Sequence, residues 1–143
     1  MTQSIRSLAM LLLLLPLAAA GCDDDPPTTP TVDSALPLVE SFIGTVSPAT
    51  AVFYSFTLAT EGQVSLTLLE ITRDGAPAST ILGLGIGSPL GIGCTGGVSV
   101  ATGPGATPQL RQRLEPGVYC AQVSDTGQLT EPVNFALNIS RPR

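Results

Sequence analysis

Apolar residues recur at every second position in three stretches of this chain, and that spacing limits what it can fold into. Val52, Tyr54, Phe56 and Leu58 alternate with Phe53, Ser55 and Thr57. Val64, Leu66 and Leu68 alternate with Ser65 and Thr67, and Val133, Phe135, Leu137 and Ile139 with Asn134, Ala136, Asn138 and Ser140. Side chains of an extended strand point to opposite faces in turn, so such alternation describes strands buried on one face only. Turn sequences lie between the stretches: SPAT from Ser47, EGQ from Glu61, RDGAP from Arg73, GSPLG from Gly87, TGPGATP from Thr102, EPG from Glu115 and SDTG from Ser124. Beyond the N-terminal region no apolar stripe has helical spacing. The expectation is an all-β chain with strands near 38–44, 51–59, 63–71, 79–86, 97–101, 109–114, 117–124 and 132–140, arranged as an antiparallel β-sandwich.

The fourth of these stretches sets Leu82, Leu84 and Ile86 against Gly83, Gly85 and Gly87. A face made of glycine leaves three alternatives: a second backbone packs close, a large side chain does, or the face is bare. The run has neither the following helix nor the Lys-Ser/Thr pair of a phosphate-binding loop, and Pro89 follows too soon for one.

The first residues follow a different rule. Arg6 precedes the apolar run LAMLLLLLPL (Leu8 to Leu17), and small residues Ala18 to Gly21 follow. Charge, short apolar core and small-residue exit make a secretory signal. The run is shorter than the roughly 20 residues of a membrane span. AAGC, Ala19 to Cys22, resembles the lipobox of bacterial lipoproteins, with Ala19 where that family prefers Leu. The resemblance implies cleavage before Cys22, acylation of its thiol and a membrane anchor at the new N-terminus. Acyl chains contribute about 0.8 kcal/mol per buried CH₂, and more than one chain gives a lasting anchor. The expected organisation is a signal peptide over 1–21, a tether over 22–37 and a folded domain over 38–143.

The tether, DDDPPTTPTVDSALP, is rich in Asp, Pro and Thr. It has too little apolar content to repay ordering, and its prolines favour an extended polyproline conformation. Three consecutive aspartates cannot converge on one calcium ion without a loop to fold them back. They read as a solvated charge run.

The folded part resembles the bacterial pre-peptidase C-terminal domain, an accessory module of secreted proteases. The resemblance rests on SFIGTVSP (Ser41 to Pro48), AVFYSFTLATEGQVSLTL (Ala51 to Leu68), LRQRLEPGVYCAQVSD (Leu110 to Asp125) and VNFALNIS (Val133 to Ser140). It implies a jelly-roll-like sandwich of about eight strands. Some members bind calcium through an Asp-rich strand in the middle of the domain. Here that region is STILGLGIGSPLGIG, without a carboxylate, so calcium binding is not carried over.

With Cys22 assigned to the lipid, Cys94 and Cys120 remain, and an exported pair is expected to form a disulfide. The chain contains no His, which removes both a zinc partner and a base for a nucleophilic thiol or serine. Carboxylates alone can hydrolyse glycosides. Glu40, Glu61, Glu70, Asp74, Glu115, Asp125 and Glu131 are scattered mainly through turns and strand ends, however, and Trp is absent. Tyr54 and Tyr119 are expected in the core with their hydroxyls hydrogen-bonded. The net charge of −5 and the absence of Lys exclude a nucleic-acid face. Arg111 and Arg113 are expected on the solvent face of a strand.

These readings describe a lipid-anchored protein of the bacterial cell envelope, on the inner or outer membrane. Its non-catalytic, cofactor-free sandwich would bind a protein or polysaccharide. A structural protein that self-associates through strand edges, and a carboxylate hydrolase, are the competing expectations.

Overall fold

The computed structural model describes residues 36–143. The expected signal peptide, Cys22 and the expected tether up to residue 35 lie outside the described residues. Nine strands follow: β1 (Leu38–Val46), β2 (Ala51–Leu58), β3 (Gly62–Arg73), β4 (Ala76–Pro77), β5 (Leu82–Leu90), β6 (Gly93–Thr102), β7 (Leu110–Leu114), β8 (Gly117–Asp125) and β9 (Val133–Arg141). They form two antiparallel sheets. One is ordered β1-β9-β3, with β7 and the two-residue β4 on the outer side of β3; the other is ordered β2-β8-β5-β6. Setting β4 aside, the orders 1-9-3-7 and 2-8-5-6 are those of a jelly roll, as the sequence led us to expect.

The alternating residues meet between the sheets. Leu66, Leu68, Leu137 and Ile139 from one sheet and Leu58, Leu82, Leu84 and Val123 from the other are almost wholly buried. Burial of each such side chain stabilises the fold by about 1.5–3 kcal/mol. Aromatic rings close one side of the core. Phe42 and Tyr54 stack at 4.4 Å, and Tyr54 meets Phe135 edge-on at 6.4 Å. Gly44, opposite Phe135, leaves the room these rings use: a Cβ there would lie 2.5 Å from the Tyr54 hydroxyl.

Turn chemistry sets the ends of several strands. Asp74 (φ 51°) and Gly75 (φ 77°) form the two-residue link between Arg73 and Ala76, both left-handed as a type I′ hairpin requires. Leu69 marks a bulge in β3, where the register against β9 shifts between Leu68 and Glu70. Beside this bulge the β3 edge is completed by a side chain: Gln109 Oε1 accepts the Leu68 amide hydrogen at 2.8 Å, and its Nε2 donates to the Leu68 carbonyl.

The middle of the chain departs from the sequence expectation. The turn anticipated at Gly87 is a bulge, and the strand continues through Pro89 to Leu90. The reversal comes later, at Gly91 and Ile92. Pro89 is tolerated because pairing with β8 ends at Gly87, so the outer arm of β5 has β6 as its one strand neighbour. The strands expected over 79–86 and 97–101 are thus β5 and β6 of one long hairpin.

Candidate functional site

The two cysteines come from strands that β5 separates, since β8 and β6 flank it on opposite sides. The bulge brings them together. Gly97 has φ 84°, which turns the β6 backbone, and the adjacent segment passes over Gly87. A Cβ at Gly87 would sit 2.6 Å from the carbonyl oxygens of Thr95 and Gly96. Cys94 thereby lies 5.8 Å from Cys120, Cα to Cα, and the two form a disulfide, as expected.

The three glycines of the β5 face differ in what lies above them, and only Gly87 matches one of the alternatives. At Gly87 a second backbone packs close. At Gly83 the Ser124 hydroxyl occupies the space a side chain would need. At Gly85 a Cβ would meet ordinary contacts, the Val98 carbonyl oxygen at 3.5 Å and Ser99 Cβ at 3.6 Å.

Among the described residues the carboxylates meet at most in a pair, Asp74 and Glu131, which line one pocket beside Arg73. Glu40 pairs with Arg141 at 2.9 Å, Glu61 pairs with Arg113, and Glu131 lies 3.9 Å from Arg73. Asp125 is a cap: Oδ2 accepts from the Ala49 amide, and Oδ1 from those of Gly127, Gln128 and Leu129. These bonds, the one from Ala49 foremost, hold its carboxyl below the usual range. Among the described residues no group of three metal-ligating side chains comes together. The tyrosines are partly buried, with their hydroxyls donating to backbone carbonyls, Tyr54 to Ile43 at 3.0 Å and Tyr119 to Glu115 at 2.9 Å. Burial raises the Tyr54 pKa. Arg111 and Arg113 are exposed.

One shallow concave surface was not singled out by the sequence reading. It lies on the outer face of the β1–β9–β3 sheet. Register places Ser41, Asn138 and Thr67 in one row, Ile43, Ala136 and Glu70 in the next, and Thr45, Asn134 and Thr72 in the third. The Ser41 hydroxyl donates to Asn138 Oδ1 and the Thr45 hydroxyl to Asn134 Oδ1, each at 2.7 Å. Small Ala136 leaves a shallow depression of about 440 Å³, walled by Ile43 and Thr45 on one side and Glu70 and Thr72 on the other. Each Asn spends its carbonyl on a neighbouring hydroxyl, so its amide hydrogens remain as outward donors. The face therefore offers neutral donors and acceptors, the carboxylate of Glu70, and an apolar side chain, Ile43, that is 83% exposed. The available sequence signal was Asn at alternate outward positions of β9 with Ala between them. The hydroxyl partners lie 97 and 89 residues away.

Fold and site together define an antiparallel β-sandwich with a polar outer face that carries one carboxylate, Glu70. No family model matches the chain, and none of the curated proteins matches it in sequence.

Proposed function

We propose that this chain is exported, acylated at Cys22 and held at a bacterial membrane, and that its sandwich is a non-catalytic binding module for a polysaccharide of the cell envelope. The observation that carries the binding role is the Ala136 depression, lined by the hydrogen-bonded pair Thr45 and Asn134, with the Ser41–Asn138 pair in the row beyond Ala136. Two outward carboxamides and the surrounding hydroxyls suit the hydroxyls of a sugar. Ile43 supplies an apolar wall for its C–H face, and Glu70 disfavours an anionic ligand. Of the carboxylates, Glu70 alone lines the depression, whereas glycoside hydrolysis needs two. The resemblance to an accessory domain of secreted proteases agrees with a role in holding rather than cutting.

Two measurements test this reading. Labelled fatty acid should enter the full chain in cells and be lost in Cys22→Ser; label retained in that variant refutes the anchor. The mature chain carrying Cys22→Ser should be retained by isolated envelope polysaccharide and sediment as a monomer. Asn134→Ala with Asn138→Ala should weaken retention about tenfold or more, as expected for two lost hydrogen bonds. Equal retention of the two proteins refutes the site, and self-association abolished by shielding β1 favours the structural alternative.

A further inference from the structure

The long β5–β6 hairpin ends in solvent. Leu90 is 69% exposed and Ile92 98% exposed, and Ser88, Pro89 and Gly91 beside them are exposed as well. Apolar side chains at a solvated tip have no part in the core. The arm is nevertheless held firmly, through the Cys94–Cys120 disulfide and the passage of Thr95 and Gly96 over Gly87. From Gly75 to Leu110 no residue carries a charge, so the hairpin and its flanks lack the groups that resist transfer toward a bilayer.

The topology places this tip with respect to the chain's start. Leu38 is paired with Arg141, Leu58 with Gly117, Gly62 with Leu114 and Gly87 with Cys120. The beginning of β1 and the β5–β6 tip therefore project from the same end of the sandwich, toward opposite edges. Leu36, 76% exposed, and Val118, 55% exposed, lie at this end too. Of the charges here, Arg141 is matched with Glu40 and Arg113 with Glu61, while Glu115 and Arg143 have no ion pair among the described residues.

We infer that the β5–β6 tip is a second membrane contact, with Leu90 and Ile92 entering the outer acyl region of the bilayer that holds the lipid anchor. The inference rests on the anchor reading of Cys22. A tether leaving from this end brings the tip to the bilayer without running back along the sandwich. Two apolar side chains bind a bilayer weakly when alone and effectively when an anchor raises their local concentration. The domain then stands on end, and the outer face of the β1–β9–β3 sheet is turned sideways, clear of the lipid.

The chain has no Trp, so one introduced residue reports its own surroundings. The mature chain, with Cys94 and Cys120 oxidised, is coupled through Cys22 to a maleimide phospholipid in phosphatidylethanolamine–phosphatidylglycerol vesicles bearing brominated acyl chains. Ile92→Trp should show blue-shifted emission quenched about twofold or more, while Gln128→Trp, at the far end, should emit as a solvated indole. Unquenched emission from Ile92→Trp, matching that of the Gln128→Trp control, overturns the membrane contact and favours a protein pocket as the occupant. The chemical coupling separates this result from the acylation test, because it supplies an anchor whether or not cells acylate Cys22. Independently, amide exchange at Leu90 to Gly93 should slow about tenfold when the chain is coupled to vesicles, and Leu90→Ser with Ile92→Ser in the coupled chain should abolish that slowing without changing Tm, as loss of two apolar side chains predicts. Exchange at the tip that coupling leaves unchanged overturns the inference.

Discussion

Asp125 Oδ2 accepts the amide hydrogen of Ala49 at 2.9 Å, which joins the β1–β2 turn to the β8–β9 loop. Ala49 is held there at φ 58°, a conformation that a residue with a Cβ adopts only at a cost. The other oxygen of the carboxylate organises the amides of Gly127, Gln128 and Leu129, so one side chain positions two connections of the jelly roll.

This arrangement makes stability depend on pH in a defined direction. The folded carboxyl has a lowered pKa, so the unfolded chain binds the proton more tightly. The contribution of Asp125 is present above the ordinary carboxylate pKa of about 4 and is lost as pH falls through the folded value. In Asp125→Asn one oxygen is replaced by an amide group that cannot accept. Thermal melts should show a lower Tm at pH 7 and a shallower loss in acid than wild type. Superimposable Tm–pH curves would count against the cap.

The disulfide spans a sequence separation of 26 residues. Removing that link from the unfolded chain's constraints costs about 3.5 kcal/mol on the chain-entropy relation. Paired Cys94→Ala and Cys120→Ala substitutions should lower the urea midpoint accordingly. They should also speed amide exchange in residues 88–97 before the rest of β5 and β6, because the outer arm has lost its covalent hold. Uniform exchange along the hairpin would show that the arm does not need the bridge.

Glycine-to-alanine changes along β5 should differ sharply although the residues are spaced identically. Gly87→Ala places a methyl against two backbone oxygens that cannot move independently. It should destabilise by about 1–3 kcal/mol, as overpacking does, and slow disulfide formation. Gly85→Ala meets only ordinary contacts and should stay within about 0.5 kcal/mol of wild type, as open surface positions do. Chemical denaturation of the two variants measures the contrast, and equal midpoints would contradict the close passage over Gly87.

Gln109 substitutes for a strand at the β3 edge, satisfying both the amide and the carbonyl of Leu68. Gln109→Ala leaves those groups without this partner and should cost about 1–2 kcal/mol. Gln109→Glu keeps the acceptor but sets a second carboxylate oxygen against the Leu68 and Gly105 carbonyls, so it should be at least as destabilising at pH 7. Urea midpoints unchanged in both variants would exclude this role.

The legibility of the fold varied along the chain for a physical reason. β2, β3 and β9 could be read because one face of each is buried and the other is not, which writes a period of two into the residues. The Asp74–Gly75 turn could be read because its left-handed conformations favour those residue types. The GSPLG segment was harder. Its Gly and Pro signal a departure from regular extension, and a bulge followed by a tip produces the same residues as a turn at Gly87. The glycines at 83, 85 and 87 look alike in sequence and differ in what lies above them. Asn134 and Asn138 were visible as the polar face of a strand, while their hydroxyl partners and the depression between them were not.

What this sequence determined by itself is local or arithmetic: strands with one apolar face, their turns, an uncharged middle, and two cysteines within the folded part. Only the tertiary structure decided that β1 lies beside β9, that Ser41 meets Asn138 across 97 residues, and that the hairpin bends until Cys94 reaches Cys120. Alternation is a property of a single strand against solvent. Neighbours and register arise when the faces of two sheets are buried together, and that burial couples residues from distant parts of the chain.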